Sequence, residues 1–282
     1  MVKRRRKSNG SLMWAAIGLV VVVVLAVVLV TTLSSSGLQQ TYFGPTSPTI
    51  LAEVQGVPAS VFNAVGVTSP SVTVAALLSP KTAQPPLTYT VGGKKLPGVV
   101  YLGAEYCPYC AATRWGIIVG LSRFGHFNRL YDMLSSSTDV DASTPTFSFV
   151  GKKPTDVVTY TSKYIVFRPY ETLDRNSKAF MILPPDVQTI SSTYEQSGIP
   201  FMDIDNHWFI TGTEYDPGAL ANSSRAAIAA GLQTSSIPVT QAIIATANYV
   251  AAGICAATHS QPGSVCHSSG VLAAAKVMGT KL

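Results

Sequence analysis

Two cysteines near the middle of the chain, Cys107 and Cys110, have the spacing of a redox pair. An apolar run, Val99 to Leu102, precedes them and a helical pattern follows, so we expect a strand that ends where a helix begins. Pro108 falls at the first helical position, where its missing N–H leaves no bond unmade. The free N–H groups and positive end of the helix dipole favour a thiolate at Cys107. We therefore predict that Cys107 attacks a disulfide and Cys110 resolves the mixed disulfide.

A single Cys-x-x-Cys motif also has other interpretations: a structural disulfide, half of a zinc site, or inert thiols. A zinc site would need the later cysteines, Cys255 and Cys266, or a substitute from His259 or His267. Ten residues separate Cys255 from Cys266, whereas zinc ligands usually have about two to four between them. We expect no metal, and a structural disulfide between Cys255 and Cys266. A second redox pair is the alternative for these two.

The charge distribution indicates a membrane protein. The net charge is +6 in 282 residues, but five of the 20 Lys and Arg lie in residues 3–7, which leaves a nearly neutral body and excludes a basic nucleic-acid-binding face. Leu12 to Leu33 contains no charge. Its 22 residues, at about 1.5 Å each, would span the hydrocarbon core. The cationic flank keeps the N-terminus cytoplasmic and exports the rest. A cleaved signal peptide, with its site at Ser34 to Ser36, is the alternative.

The chain divides into five predicted regions. These are a cytoplasmic basic tail (1–11), a transmembrane helix (12–33), a linker rich in Ser, Thr, Gly and Pro (34–48), an N-terminal extension that packs on the domain (49–95), and a main domain with a C-terminal helical extension (96–282).

Within the main domain, the order is strand, cysteine helix, strand, an extra extended segment, helix, hairpin, helix and helix. The patterns predict the following elements: the cysteine helix to about Met133, strands at Thr146–Val150 and Lys163–Arg168, a helix that follows Pro184-Pro185 and runs to about Gln196, a hairpin of Phe201–Ile204 and His207–Thr211, and helices at Pro217–Gly231 and Val239–Ala257. In the N-terminal extension, Val72–Leu78 is a candidate strand.

This order, together with the stretch Ala104 to Cys110, resembles the thioredoxin superfamily from about Leu96 to Gly231. The resemblance implies an α/β thioredoxin-like fold, here with an N-terminal transmembrane helix and an extra C-terminal helix. It also implies that Gly198-Ile199-Pro200 forms a cis-proline loop facing the cysteines. A peptide groove would then comprise Tyr106, Pro108, Tyr109, Ile199 and Pro200.

The chain departs from thioredoxins at two positions. Tyr106 stands where they have Trp, and Tyr101 stands where they have a buried Asp. The nearest carboxylate, Glu105, and the cation one turn past the motif, Arg114, are both expected to be solvated.

More narrowly, the chain is similar to the uncharacterised prokaryotic family named domain of unknown function 929. The residues that carry this similarity are the cysteine motif, Tyr160–Ile165, Ile199–Phe201, Ala247–Tyr249 and the late cysteine pair.

These observations predict a membrane-anchored, extracytoplasmic thiol–disulfide oxidoreductase without a cofactor. Its partners would be exported polypeptides with thiols or disulfides and a membrane electron-transfer partner that resets the pair. The alternative is a non-catalytic peptide-binding module in which the disulfides are structural.

Overall fold

The computed structural model describes residues 44–194 and 198–282. The predicted cytoplasmic tail (1–11) and transmembrane helix (12–33) lie outside these residues, as does most of the predicted linker (34–48).

The described residues form a mixed α/β structure. Its strands are β1 (Thr88–Val91), β2 (Lys94–Gly103), β3 (Gly125–Phe127), β4 (Tyr131–Leu134), β5 (Pro145–Ser148), β6 (Tyr160–Ser162), β7 (Val166–Glu171), β8 (Phe201–Ile204) and β9 (Trp208–Thr211). Its helices are α1 (Pro48–Gln55), α2 (Ala59–Val65), α3 (Pro108–Leu121), α4 (Pro185–Tyr194), α5 (Arg225–Gly231), α6 (Pro238–Ala257), α7 (Gly263–Cys266) and α8 (Ser269–Met278), with a 3₁₀ turn at Pro217–Leu220.

Strand β2 is the centre of the largest sheet. Its residues 98–103 pair with the parallel strand β7, and residues 99–102 pair on the other side with the antiparallel strand β8. Strand β9 forms a hairpin with β8, and β1 pairs with residues 94–97 of β2. The order across the middle is therefore β7-β2-β8-β9, with one parallel contact.

Alternation along β2 explains why both faces of this sheet are covered. Val99 and Tyr101 belong to a large hydrophobic cluster that also contains side chains of α3 and α6. Val100 and Leu102 point the opposite way, into a smaller cluster with Val187 of α4. Since side chains alternate along a strand, the buried residues of β2 contribute to two hydrophobic clusters, one on each face of the sheet.

Helices α3 and α6 approach each other closely through small residues. A Cβ on Gly116 would lie 2.6 Å from the Thr246 Cβ, and one on Gly120 would lie 3.0 Å from a Val250 methyl group. Among the described residues, α6 is the one helix long and apolar enough to cross a membrane, but 83% of its apolar window is buried inside the protein. It is therefore packed as a core helix here.

Several sequence predictions are confirmed and others are wrong. The hairpin of β8 and β9 lies within one residue of its predicted bounds. The cysteine helix, however, ends at Leu121 and not near Met133. The apolar residues that follow it fit helical spacing equally well, but they lie in and around the short strands β3 and β4. Residues 72–78 form no strand, only a single bridge from Leu78 to Phe209.

Candidate functional site

The cysteine pair lies where β2 leads into α3. Cys107 is the N-cap residue of α3, and its sulfur accepts the backbone N–H of Cys110 at 3.2 Å. Pro108 occupies the first turn. The side chain of an N-cap residue normally accepts such a hydrogen bond through an oxygen atom. Here the Cys107 sulfur takes that position, where the helix dipole favours a negative charge.

The two thiols have very different acidities. The pKa of Cys107 is lowered most by the S–H of Cys110, which donates to the Cys107 sulfur. Burial raises the pKa of Cys107 and opposes this effect. The backbone N–H groups of Cys110 and Tyr109 and the positive charge of Arg114 lower the pKa further. Burial raises the pKa of Cys110 well above its usual range, and the neighbouring Cys107 raises it further. Cys107 is therefore the more acidic thiol of the pair.

The pair is enclosed by apolar side chains. Cys107 is 5% exposed and Cys110 is fully buried, in a cluster with Ala104 against which Tyr106, Leu173 and Ile199 pack. Two of the five predicted groove residues, Tyr106 and Ile199, are therefore brought to the cysteines.

The other three predicted groove residues lie in or beside these same elements. Pro108 is buried in the first turn of α3, whereas Tyr109 is 40% exposed. Pro200 is buried directly before β8, and the Ile199–Pro200 bond is cis.

A buried ion pair stands one helical turn beyond the motif. Arg114 Nε and Nη2 donate to the two carboxylate oxygens of Glu171 at 2.8 and 2.6 Å, and both side chains are 0% exposed. Arg114 Nη2 also donates to the Ala104 carbonyl at 2.8 Å, which ties the loop before the cysteines to the helix. The expectation that Arg114 is solvated is wrong, because β7 brings a carboxylate directly opposite it.

Glu105 is buried too, contrary to the sequence expectation. It is 1% exposed, and the Ser148 hydroxyl of β5 donates to its Oε1 at 2.8 Å. Burial, reinforced by the charge of Glu171, raises the pKa of Glu105 to about 8. This carboxyl group therefore holds its proton at neutral pH, two residues before Cys107.

The buried side chain of Tyr101 lies close to Arg114, one turn beyond the motif. Its ring centroid lies 5.8 Å from the Arg114 guanidinium carbon. Its buried hydroxyl finds no hydrogen-bond partner among the described residues, and burial raises the pKa of Tyr101 well above its usual range. Gly103 makes room for this ring, since a Cβ there would lie 2.6 Å from Tyr101 Cζ.

A further buried carboxyl, Glu214, lies against the same helix and was missed in the sequence. Thr113 of α3 donates to Glu214 Oε2 at 3.0 Å, and burial raises the pKa of Glu214 to about 8. The next residue, Tyr215, donates its hydroxyl to the Ala112 carbonyl at 2.8 Å. The polar stretch around Glu214 resembles an ordinary surface loop, so no sequence signal marks it as buried.

The late cysteines are joined to each other. Cys255, near the end of α6, and Cys266, at the end of α7, form a disulfide with a Cα separation of 5.5 Å. A zinc site built from all four cysteines is incompatible with this arrangement. Within residues 44–194 and 198–282, no group of three His, Cys, Asp or Glu side chains is placed to hold a metal.

Comparison with known proteins gives one family. The model of the family described as Domain of unknown function (DUF929) matches residues 85–256, which include β2, the cysteine motif, the β8–β9 hairpin and most of α6. Neither the curated proteins nor the solved structures contain a match to this chain.

Proposed function

The chain belongs to the DUF929 family, whose description assigns no activity, and we propose that it is a thiol–disulfide oxidoreductase acting through Cys107 and Cys110. The observation that carries this proposal is the split in acidity within the pair. Cys107 has a lowered pKa at a helix N-terminus, while the pKa of Cys110 is raised by burial. This is the arrangement an attacking thiol and a resolving thiol need.

The exchange would proceed in two steps. The Cys107 thiolate attacks one sulfur of a substrate disulfide, which forms a mixed disulfide and releases the first substrate thiolate. Cys110 then attacks the Cys107 sulfur, closes the Cys107–Cys110 disulfide and releases the second substrate thiolate, with the Cys110 proton ending on one of the two released sulfurs. The substrate gains two electrons and the protein loses two; oxidation of a substrate dithiol is the reverse.

The burial of the pair limits where a substrate can approach. Tyr106 and Ile199 cover the pair, so a polypeptide would reach Cys107 across these two side chains. The exposed ring of Tyr109 adds an apolar contact beside them. These residues, with Pro108 and Pro200, form the proposed substrate groove.

The order β7-β2-β8-β9, with the cysteine helix following β2, supports a thioredoxin-like fold for residues 96–282. We also propose that residues 12–33 anchor the protein in a membrane and that the domain is extracytoplasmic. The Cys255–Cys266 disulfide supports an oxidising compartment, because such bonds persist mainly outside the cytoplasm. The partners would then be exported polypeptides and a membrane electron-transfer protein.

The test uses the full chain in detergent with a peptide that contains one intramolecular disulfide between a fluorophore and a quencher. We expect wild-type protein, reduced beforehand, to open the peptide, and Cys107→Ser to abolish the signal. Cys110→Ser should accumulate a mixed disulfide at Cys107, visible by non-reducing electrophoresis and mass mapping.

The control removes the late pair. The double variant Cys255→Ala/Cys266→Ala should keep the peptide-opening activity, since this disulfide is proposed to be structural. The binding-module alternative gives a different pattern: peptide binding without opening, unchanged by Cys107→Ser or Cys110→Ser. That pattern would refute the proposed oxidoreductase activity.

A further inference from the structure

A large cavity lies at the end of the sheet opposite to the cysteines. The motif follows the last residue of β2, Gly103, whereas the cavity is lined by the first part of this strand and by the turn after β8. Its volume is about 860 Å³, within the range typical of small-molecule sites. The cavity is therefore large enough for an organic ligand of several linked groups, and its walls are separate from the thiol site.

The most buried polar residue in the wall of this cavity is Asp205. Its side chain is only 10% exposed, and its Oδ1 is buried with no hydrogen-bond partner among the described residues. The second oxygen, Oδ2, lies 3.6 Å from His207 Nδ1, which also lies 2.6 Å from the Asp205 carbonyl oxygen. A buried carboxylate with too few donors is costly, so a ligand that brings a donor or a cation close to this carboxyl group would be stabilised here.

The electrostatics of Asp205 fit the same ligand group. Burial raises the pKa of Asp205 to about 6, while the imidazoles of His207 and His259 and the Leu87 N–H oppose this rise. The carboxyl group is thus largely ionised at neutral pH despite its burial. It presents a negative charge at the wall of a cavity that is otherwise mostly apolar.

The rest of the cavity lining provides positive charge and apolar surface. Lys95 and Lys163 are exposed and bring positive charge to the same lining. Trp208 and Tyr164 provide aromatic surface, and Leu96 adds aliphatic surface. Such a lining suits a ligand with a cation at one end, an apolar group in the middle and an anion at the other end.

We propose that this cavity binds short peptides with free termini, with the amino group on Asp205, the carboxylate towards Lys95 and Lys163, and an apolar side chain on Trp208. The site is independent of the cysteine chemistry. The assignment rests on the cavity, on the buried Asp205 carboxyl group in its wall and on the opposite charge of the lysines.

The test compares three probes by calorimetry on the full chain in detergent: the dipeptide Gly-Phe, its C-terminal amide and its N-acetyl derivative. Gly-Phe should bind at least tenfold more tightly than N-acetyl-Gly-Phe, because acetylation removes the cation that faces Asp205. The amide should bind several-fold more weakly than Gly-Phe. In Asp205→Asn, the difference between the free and acetylated peptides should disappear.

Matched variants test the lysines. Lys95→Gln/Lys163→Gln should remove the difference between Gly-Phe and its amide, whereas Lys94→Gln should behave as wild type, since Lys94 is also exposed but is not part of the cavity wall. Circular dichroism of each variant checks the fold. If Gly-Phe shows no heat of binding at millimolar concentration, or if Asp205→Asn keeps the wild-type ratio between free and acetylated peptides, the peptide assignment is wrong.

Discussion

Replacing Glu171 by Gln would remove the negative charge that faces Arg114 while keeping the size of the side chain. In the folded protein, the guanidinium group of Arg114 makes two bonds to this carboxylate and one to the Ala104 carbonyl, all between 2.6 and 2.8 Å. Both side chains are fully buried, so water cannot replace the lost partner. Breaking such a buried pair from one side typically costs about 3–5 kcal/mol, and we expect a loss in this range.

The assay is thermal and urea unfolding of the full chain in detergent. For a domain of this size, 1 kcal/mol shifts the midpoint by about 2–4 °C, so Glu171→Gln should lower Tm by about 10 °C. The matched control is the exposed pair of Arg168 and Asp186, at 3.6 Å, where Asp186→Asn should cost less than about 1 kcal/mol.

A double variant separates stability from acidity. Arg114→Met/Glu171→Leu removes both charges and should recover most of the lost stability, because buried pairs are often replaced by apolar residues at little cost. It also removes the positive charge that lowers the pKa of Cys107, so the alkylation of Cys107 should require higher pH. If Glu171→Gln is as mild as Asp186→Asn, the assigned role of the buried pair is refuted.

Three further predictions concern the groups around α3. Burial raises the pKa of Glu214 from 4.5 to about 8, so the folded state keeps a proton that the unfolded chain releases, and stability falls as pH rises between these values. Glu214→Gln should therefore be more stable than wild type at pH 8, by more than about 1 kcal/mol, and similar at pH 4.5 in urea unfolding. Gly116→Ala should cost about 1–3 kcal/mol in the same assay, because the new methyl group meets Thr246. Ile199→Ala should uncover Cys107 and raise its rate of alkylation by iodoacetamide several-fold.

Each of these has its own check. A Glu214→Gln variant whose stability follows the same pH curve as wild type would contradict the raised pKa. The second substitution in Gly116→Ala/Thr246→Ala should restore stability, and failure to do so would mean that α3 and α6 do not meet at this point. Ile182→Ala, at a side chain 91% exposed, should leave the alkylation rate of Cys107 unchanged.

The sequence predicts the centre of the fold well because its signals there are local. The buried run of β2, the proline in the first turn of α3 and the turn residues between β8 and β9 each mark their own element. Asp205 and Asn206 in that turn both have positive φ, as a tight hairpin turn requires. No partner from elsewhere in the chain is needed to recognise these elements.

Predictions fail where burial depends on distant residues. Arg114 and Glu105 have the composition of surface positions, but Glu171 and Ser148, more than 40 residues away, meet them in the interior. Glu214 likewise has its hydrogen-bond donor, Thr113 of α3, 101 residues away along the chain. The identity of a charged residue does not indicate its partner when that partner lies on another strand or loop. The burial of these groups therefore could not be predicted from the sequence.

The packing of α3 also restricts how this protein can change over evolutionary time. From Pro108 to Leu121, every residue except Tyr109 is buried inside the protein. Most substitutions in the helix would therefore be removed by selection for folding before they could alter which partner is accepted. New partner preferences can arise at Tyr109 or in the covering segments around Tyr106 and Ile199, so diversification should be concentrated there while the helix that carries the thiols stays unchanged.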